Sequence, residues 1–230
     1  KNVPAERMQE YVKGLNQAHT DWLKARAAQD FGLLEETLTK VVAFQKEFIP
    51  YWQKEEKTPY DVLLNQFEPG MTVEKLDQVF DQVKQGIQEI RTVLAEKGTP
   101  PRTDFLSRKM TKEQQRRFVI GVVEQLGYDF SKGRLDDTVH PFMTALNRND
   151  ARITTRWEEN NFSMATFGVI HEAGHGMYEQ NFDPKFDFTP LSEGASMGIH
   201  KSQSLFNEII IGSNRAFWQK QYPFFQECAE

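Results

Sequence analysis

The sequence predicts a mainly α fold, with long helices and a short β-hairpin or small sheet past the middle of the chain. Three observations carry that expectation. Apolar residues recur at steps of three and four over much of the chain, the period of helices that bury one face. Turn and capping residues fall between these runs. Past Thr138 a β-branched stretch, Ile153-Thr154-Thr155 before Trp157, breaks the helical pattern.

The elements follow in order. Tyr11, Val12, Leu15, Ala18 and Trp22 form a first stripe, interrupted at Asp30-Phe31-Gly32. Leu34, Leu38, Val41, Val42 and Phe48 form a second, expected to end before Pro50 because proline cannot donate to the helix ladder. Pro69-Gly70 marks a turn. Thr72 is placed to cap a third helix with the stripe Val73, Leu76, Phe80, Val83, Ile87, Ile90 and Leu94, stopped by Gly98-Thr99-Pro100-Pro101. Thr111 and Gln114 have the spacing of a capping box for a fourth, ending near Gly127. These stripes are read as core. The segment 138–157 is expected to form the small sheet. The helical period resumes from Ser163, a candidate cap, to about Gln180, and again from Leu191 to about Ile211.

Composition narrows the function. With 230 residues the chain is long enough for one sizeable core. Lys+Arg 28 against Asp+Glu 33 gives a net charge of −5, which leaves no basic footprint for nucleic acid. No apolar run approaches the ~18 residues of a membrane helix. The opening Lys-Asn-Val-Pro shows no charged-then-apolar leader. The one cysteine, Cys228, excludes an intrachain disulfide framework. A soluble, cytoplasmic protein with no nucleic-acid or membrane partner is the expectation.

His171-Glu172-Ala173-Gly174-His175 is the sharp chemical signal. Residues four apart share one helix face, so two imidazoles can point at one ion about 2.0–2.1 Å from each nitrogen. Zinc would lower the pKa of a bound water towards ~7, and Glu172 beside the first histidine could take its proton. The pattern encodes metal-assisted amide hydrolysis, and its apolar neighbours Met164, Phe167, Ile170 and Tyr178 put it on a helix. The competing reading is a helix with two satisfied histidines and a solvated glutamate. Two histidines do not hold a catalytic zinc, so a third ligand, normally a carboxylate, is expected from a separate helix within 191–211.

Several stretches together resemble the M32 metallocarboxypeptidases, the carboxypeptidase Taq family. They are His140-Pro141-Phe142, Asp150-Ala151-Arg152-Ile153-Thr154, His171 to His175 with Tyr178-Glu179-Gln180, and Gly198-Ile199-His200-Lys201-Ser202-Gln203-Ser204. Trp22 to Arg26 and the stretch from Tyr60-Asp61 to Glu68-Pro69-Gly70-Met71-Thr72 add to them. The resemblance implies a mostly helical fold with a long peptide groove and a metal at its floor. It implies removal of C-terminal amino acids with zinc or cobalt, and a cytoplasmic homodimer. Residues 1–230 would then form a single, incomplete domain, with 1–130 as helical scaffold and 131–230 as active-site region. Family members are roughly twice as long, and two motifs expected near their C-terminal ends are not found here.

One departure is chemical. The family's third metal ligand is the glutamate of a His-Glu-Ser-Gln motif, and position 201 is lysine. An ammonium group cannot ligate a cation, and its charge opposes one. Glu208 shares the helical face seven residues on but lies about 10 Å further along the axis, and Glu193 is as distant. The expectation is weak or absent zinc binding. The other assignments carry alternatives. Glu172 is the general base by motif. His140 contacts substrate by resemblance, or is a strand-end histidine bonded to backbone. Arg152 and Thr154 alternate on an extended segment; by resemblance they face the groove, where an edge strand could pair with a peptide, or Arg152 pairs with Asp150. Glu179 is placed to support a ligand histidine, His200 to hydrogen-bond near the site, and Tyr178 is read as core with an oxyanion donor as the alternative. The competing functions are another gluzincin endopeptidase or dipeptidase, and an inert scaffold.

Overall fold

The computed structural model describes residues 2–230, which form two compact units, one ending at Arg91 and the other spanning Thr92–Glu230. In the first, α1 (Ala5–Ala28) and α2 (Gly32–Trp52) are joined by a three-residue link in which Gln29 adopts a left-handed conformation. A link that short folds the helices into an antiparallel hairpin. Arg7 near the start of α1 accordingly pairs with Glu47 near the end of α2, and Thr37 donates to Asp21 at 2.7 Å. Tyr11, Phe44, Phe48 and Trp52 pack ring against ring along the seam.

The expected stop at Pro50 is corrected: α2 runs through it to Trp52. Proline's missing N–H costs one bond in the last turn, and Gln53 N–H still donates to Ile49 at 2.9 Å, closing the helix beyond it.

A short helix that the periodicity did not mark, α3 (Pro59–Phe67), has a complete capping box. Thr58 Oγ1 accepts from Asp61 N–H at 3.1 Å, and Asp61 Oδ2 accepts from Thr58 N–H at 3.0 Å. The other oxygen of Asp61 accepts from Val73 N–H at 2.7 Å, at the first residue of α4 (Val73–Lys97). One buried carboxylate therefore ties two helix starts together, and the Val73 N–H above all holds it below the usual aspartate range. Thr72 caps α4 as expected, accepting from Lys75 N–H at 3.2 Å. The α4 stripe is corrected, however: no residue of α4 is buried, and Phe80, Val83, Ile87 and Ile90 are exposed. Helical period reports an apolar face, not whether anything covers it.

In the second unit, α5 (Lys112–Leu126) starts at the expected capping box of Thr111 and Gln114 and ends at Gly127, whose φ of 113° suits glycine. Strands β1 (Leu135–Asp137), β2 (Met143–Asn147) and β3 (Asp150–Thr155) form a sheet in the order β1-β3-β2. β2 and β3 are the hairpin, bulged between Ala145 and Asn147, and β1 lies parallel to β3 with Leu135 opposite Ile153. β3 is thus the central strand, paired on both sides, and cannot add a peptide strand as an edge would.

Helix α6 (Phe162–Gln180) packs on this sheet and on α5. Val119, Val122 and Val123 of α5, Ile153 of β3 and Val169, Ile170 and Ala173 of α6 form the core. Ser163 lies inside the first turn of α6 and donates to Asn161 Oδ1 at 2.6 Å, so it is not the cap. The next helix, α7 (Met197–Leu205), begins six residues later than the periodicity from Leu191 suggests. Pro190, Ser192 and Gly194 favour turns there, and Ser196 caps α7 by accepting from Ile199 N–H at 3.2 Å. A π-helical turn, Phe206–Ile211, continues α7, and α8 (Arg215–Ala229), also unmarked by the pattern, packs Phe224 and Phe225 against Phe118. Among the described residues no helix is long and apolar enough to cross a membrane.

Helices α6 and α7 approach each other closely. A Cβ on Gly174 would sit 2.7 Å from Gln203 O and from Ser204 Cα, both backbone atoms that cannot swing aside.

Two outcomes test these arrangements. Asp61→Ala should lower the melting temperature at pH 7. Because the folded carboxyl has a depressed pKa, its stabilisation is present at neutral pH and lost as pH falls through the folded value. The variant should therefore lose less stability than the parent between about pH 5 and about pH 2, and equal losses would contradict the assignment. In an open helix Gly→Ala would stabilise by up to about 1 kcal/mol. At Gly174 the backbone clash reverses the sign, and denaturant unfolding should show a loss of about 1–3 kcal/mol; an unchanged or raised stability would refute the close packing.

Candidate active site

Small residues at Ala173, Gly174 and Gly176 let α6 press into its surroundings, leaving the larger side chains of the same helix to face a cavity. That cavity, about 540 Å³ and open to solvent, is walled by His171, Glu172 and His175 from α6, His200 and Lys201 from α7, and the segment His140–Met143 from the sheet. The two imidazoles of the motif stand one turn apart with ring centroids 5.2 Å from each other.

His171 is gripped at both nitrogens. Its Nδ1 lies 2.5 Å from Glu208 Oε2, and its Nε2 lies 2.6 Å from Lys201 Nζ. An ammonium has only hydrogens to give, so Nε2 accepts; the ring proton then sits on Nδ1, where the Glu208 carboxylate accepts it. Glu208 was not expected in this role. Its spacing from Lys201 put it on the right face but too far along the axis to replace a ligand. The two side chains instead reach in towards each other, lysine and glutamate holding opposite edges of one ring.

His175 has no such grip. Its Nδ1 is buried without a hydrogen-bond partner. Burial above all, with smaller contributions from the neighbouring His200, His171 and Lys201, lowers its pKa to about 4, so the ring is neutral at pH 7. His200 stacks on it at 4.5 Å between centroids, and the other side of the network is Glu179, whose Oε1 lies 3.0 Å from His200 Nε2. Glu179 therefore supports His175 through His200 rather than by direct contact. Burial raises the Glu179 carboxyl, and His200 pulls it back. Tyr178 leans on His200 at 5.5 Å.

Glu172 is the buried carboxyl of the cavity wall, only 8% exposed. Burial pushes its pKa up, while His171 and Lys201 draw it down, so it is poised to bind and release a proton more readily than a solvated glutamate. His140 lines the cavity. Thr154 does not: it is buried, donating from Oγ1 to Phe142 O at 2.8 Å and accepting from Phe142 N–H at 2.9 Å, and so fixes the wall beside His140. Arg152 is bound fork to fork by Asp150, at 2.7 Å on both arms, and lies outside the cavity lining.

The motif calls for a metal, but the residues present do not fit one. Two imidazoles are available as donors, yet the third position holds a cation, and that cation already occupies the His171 nitrogen which a metal would take. Among the described residues no three His, Cys, Asp or Glu side chains gather as a metal-binding group.

Comparisons with known proteins match the sequence and the fold together. The model of the Carboxypeptidase Taq (M32) metallopeptidase family matches residues 1–230. Carboxypeptidase 1 of Bacillus subtilis is 46% identical over 229 residues, covering 100% of this chain and 46% of its own length. Thermostable carboxypeptidase 1 of Thermus thermophilus is 34% identical over 98% of this chain and 46% of its own. The crystal structure of the M32 carboxypeptidase from Deinococcus radiodurans superposes with a TM-score of 0.87 at 38% identity, covering 98% of this chain and 45% of that one. This chain thus spans about half the length of the relatives it matches. It belongs to the M32 family of metallocarboxypeptidases.

Proposed function

We propose that the protein carries the scaffold of a metal-dependent carboxypeptidase that releases C-terminal amino acids from peptides, and that Lys201 keeps the centre of this chain silent. The observation that carries the reading is Glu172, a buried carboxyl of raised pKa between two motif imidazoles, on the wall of a cavity open to solvent. That is the placement of a group that takes a proton from an attacking water and returns it to a leaving amine. The family implies a divalent metal, zinc or cobalt in the reading favoured here, held by His171, His175 and a carboxylate on α7. Lysine at position 201 removes that carboxylate. The peptide lies along the wall 140–143, with His140 as a contact and Thr154 behind the wall as its support; Arg152 reaches the peptide only by leaving Asp150.

The test is the full-length protein with Lys201→Glu, supplied with zinc or cobalt and given peptides with free and amidated C-termini. The variant should release the last residue of the free peptide and leave the amidated one intact, and adding Glu172→Gln should slow release by at least about 100-fold. The unmodified protein should release nothing above background. A metal-loaded variant inert on free C-termini would refute the proposal, and internal cleavage of the amidated peptide would make the protein an endopeptidase instead.

A further inference from the structure

We propose that Lys201 is an internal stand-in for the metal, so that residue 201 decides whether His171 Nε2 faces an ammonium or a divalent cation. The inference rests on the family's metal motif and not on peptide cleavage.

Charge supplies the first argument. Across the His171 ring, the positive charge of Lys201 at Nε2 faces the negative charge of Glu208 at Nδ1, and the two cancel. The pair that grips the ring is balanced as it stands, and a dication entering there would sit against an ammonium. Lys201→Glu removes one positive charge and adds one negative. Two carboxylates then face the two edges of one imidazole, and the deficit is what one divalent ion supplies.

Length supplies the second. Lys201 Nζ is 2.6 Å from His171 Nε2, a hydrogen-bond separation with no space for an ion. A glutamate side chain is one bond shorter to its terminal atom, so its oxygen would stop about 1.3 Å short of the ammonium's place, leaving a gap of about 4 Å in extended form. A metal held about 2.0–2.2 Å from each of an oxygen and a nitrogen at a tetrahedral angle spans about 3.4 Å between them, within reach of a small side-chain rotation. The backbones that set the gap are fixed by the contact at Gly174. Glu208 is the positioning residue of the arrangement: it holds the ring edge away from the ion and so keeps Nε2 turned towards position 201.

The experiment is metal analysis of the purified protein and three variants after saturation with zinc and dialysis against zinc-free buffer, with affinities from competition against a chromophoric chelator. The unmodified protein should retain less than about a tenth of a zinc per chain and Lys201→Glu about one, by the donor count of a closed site. Lys201→Glu with Glu208→Gln should bind about 10–100-fold more weakly than Lys201→Glu alone. Lys201→Gln removes the ammonium without adding a carboxylate, so its affinity should fall between the unmodified protein and Lys201→Glu even if the glutamate variant folds poorly. Retention of one tight zinc by the unmodified protein, lost in His171→Ala, would overturn the inference. So would equal zinc affinity for lysine, glutamine and glutamate at position 201. A glutamate variant that holds zinc but releases no amino acid would sink the proposed activity and leave this inference standing.

Discussion

The close seating of α7 on α6 is the constraint on which the site depends. Gly174, inside the histidine motif itself, has no Cβ, and the backbone of Gln203 and Ser204 fills the space one would need. The motif's two variable positions are therefore occupied by small residues for a packing reason, with Ala173 and Gly174 both buried. Because the helices touch there, a side chain at position 201 reaches His171 from one side, and one at position 208 reaches it from the other. The chemistry of the centre is set by what those two positions carry.

Burial shapes what the remaining groups can do. Glu172 and Glu179 are both pushed up by desolvation, and both are partly restored by neighbours, His171 and Lys201 for the first and His200 for the second. His175 is pushed the other way, towards the neutral form. A neutral imidazole and a carboxyl that exchanges its proton readily are what a metal-assisted hydrolytic centre needs. Beside these two groups Lys201 places its amine on His171 Nε2. The wall opposite is equally built: Thr154 in the central strand fastens Phe142, and the segment 140–143 follows that anchor to the cavity.

Much of this was legible in the sequence because it is local. The capping box of Thr111 and Gln114 and the histidine pair each depend on residues within one or two turns of each other, and the structure shows them where the spacing puts them. What was not legible depends on distant partners. Glu208 looked useless as a ligand from its axial distance along one helix, and its contact with His171 exists only because α6 and α7 cross. The α4 stripe has the period of a buried face, but period carries no information about what covers it. Whether 150–155 is an edge or a central strand depends on β1, three residues long and too short for any pattern to show. Pro50 was misread for a different reason: a proline in the final turn costs one hydrogen bond, which the helix tolerates.

The most direct measurement is a crystal structure of the unmodified protein grown with zinc, with diffraction collected on both sides of the zinc absorption edge. The account requires Lys201 Nζ within hydrogen-bond distance of His171 Nε2, Glu208 on Nδ1, and no anomalous peak between His171 and His175. A strong peak shared by the two imidazoles, with the lysine swung out to solvent, would contradict it.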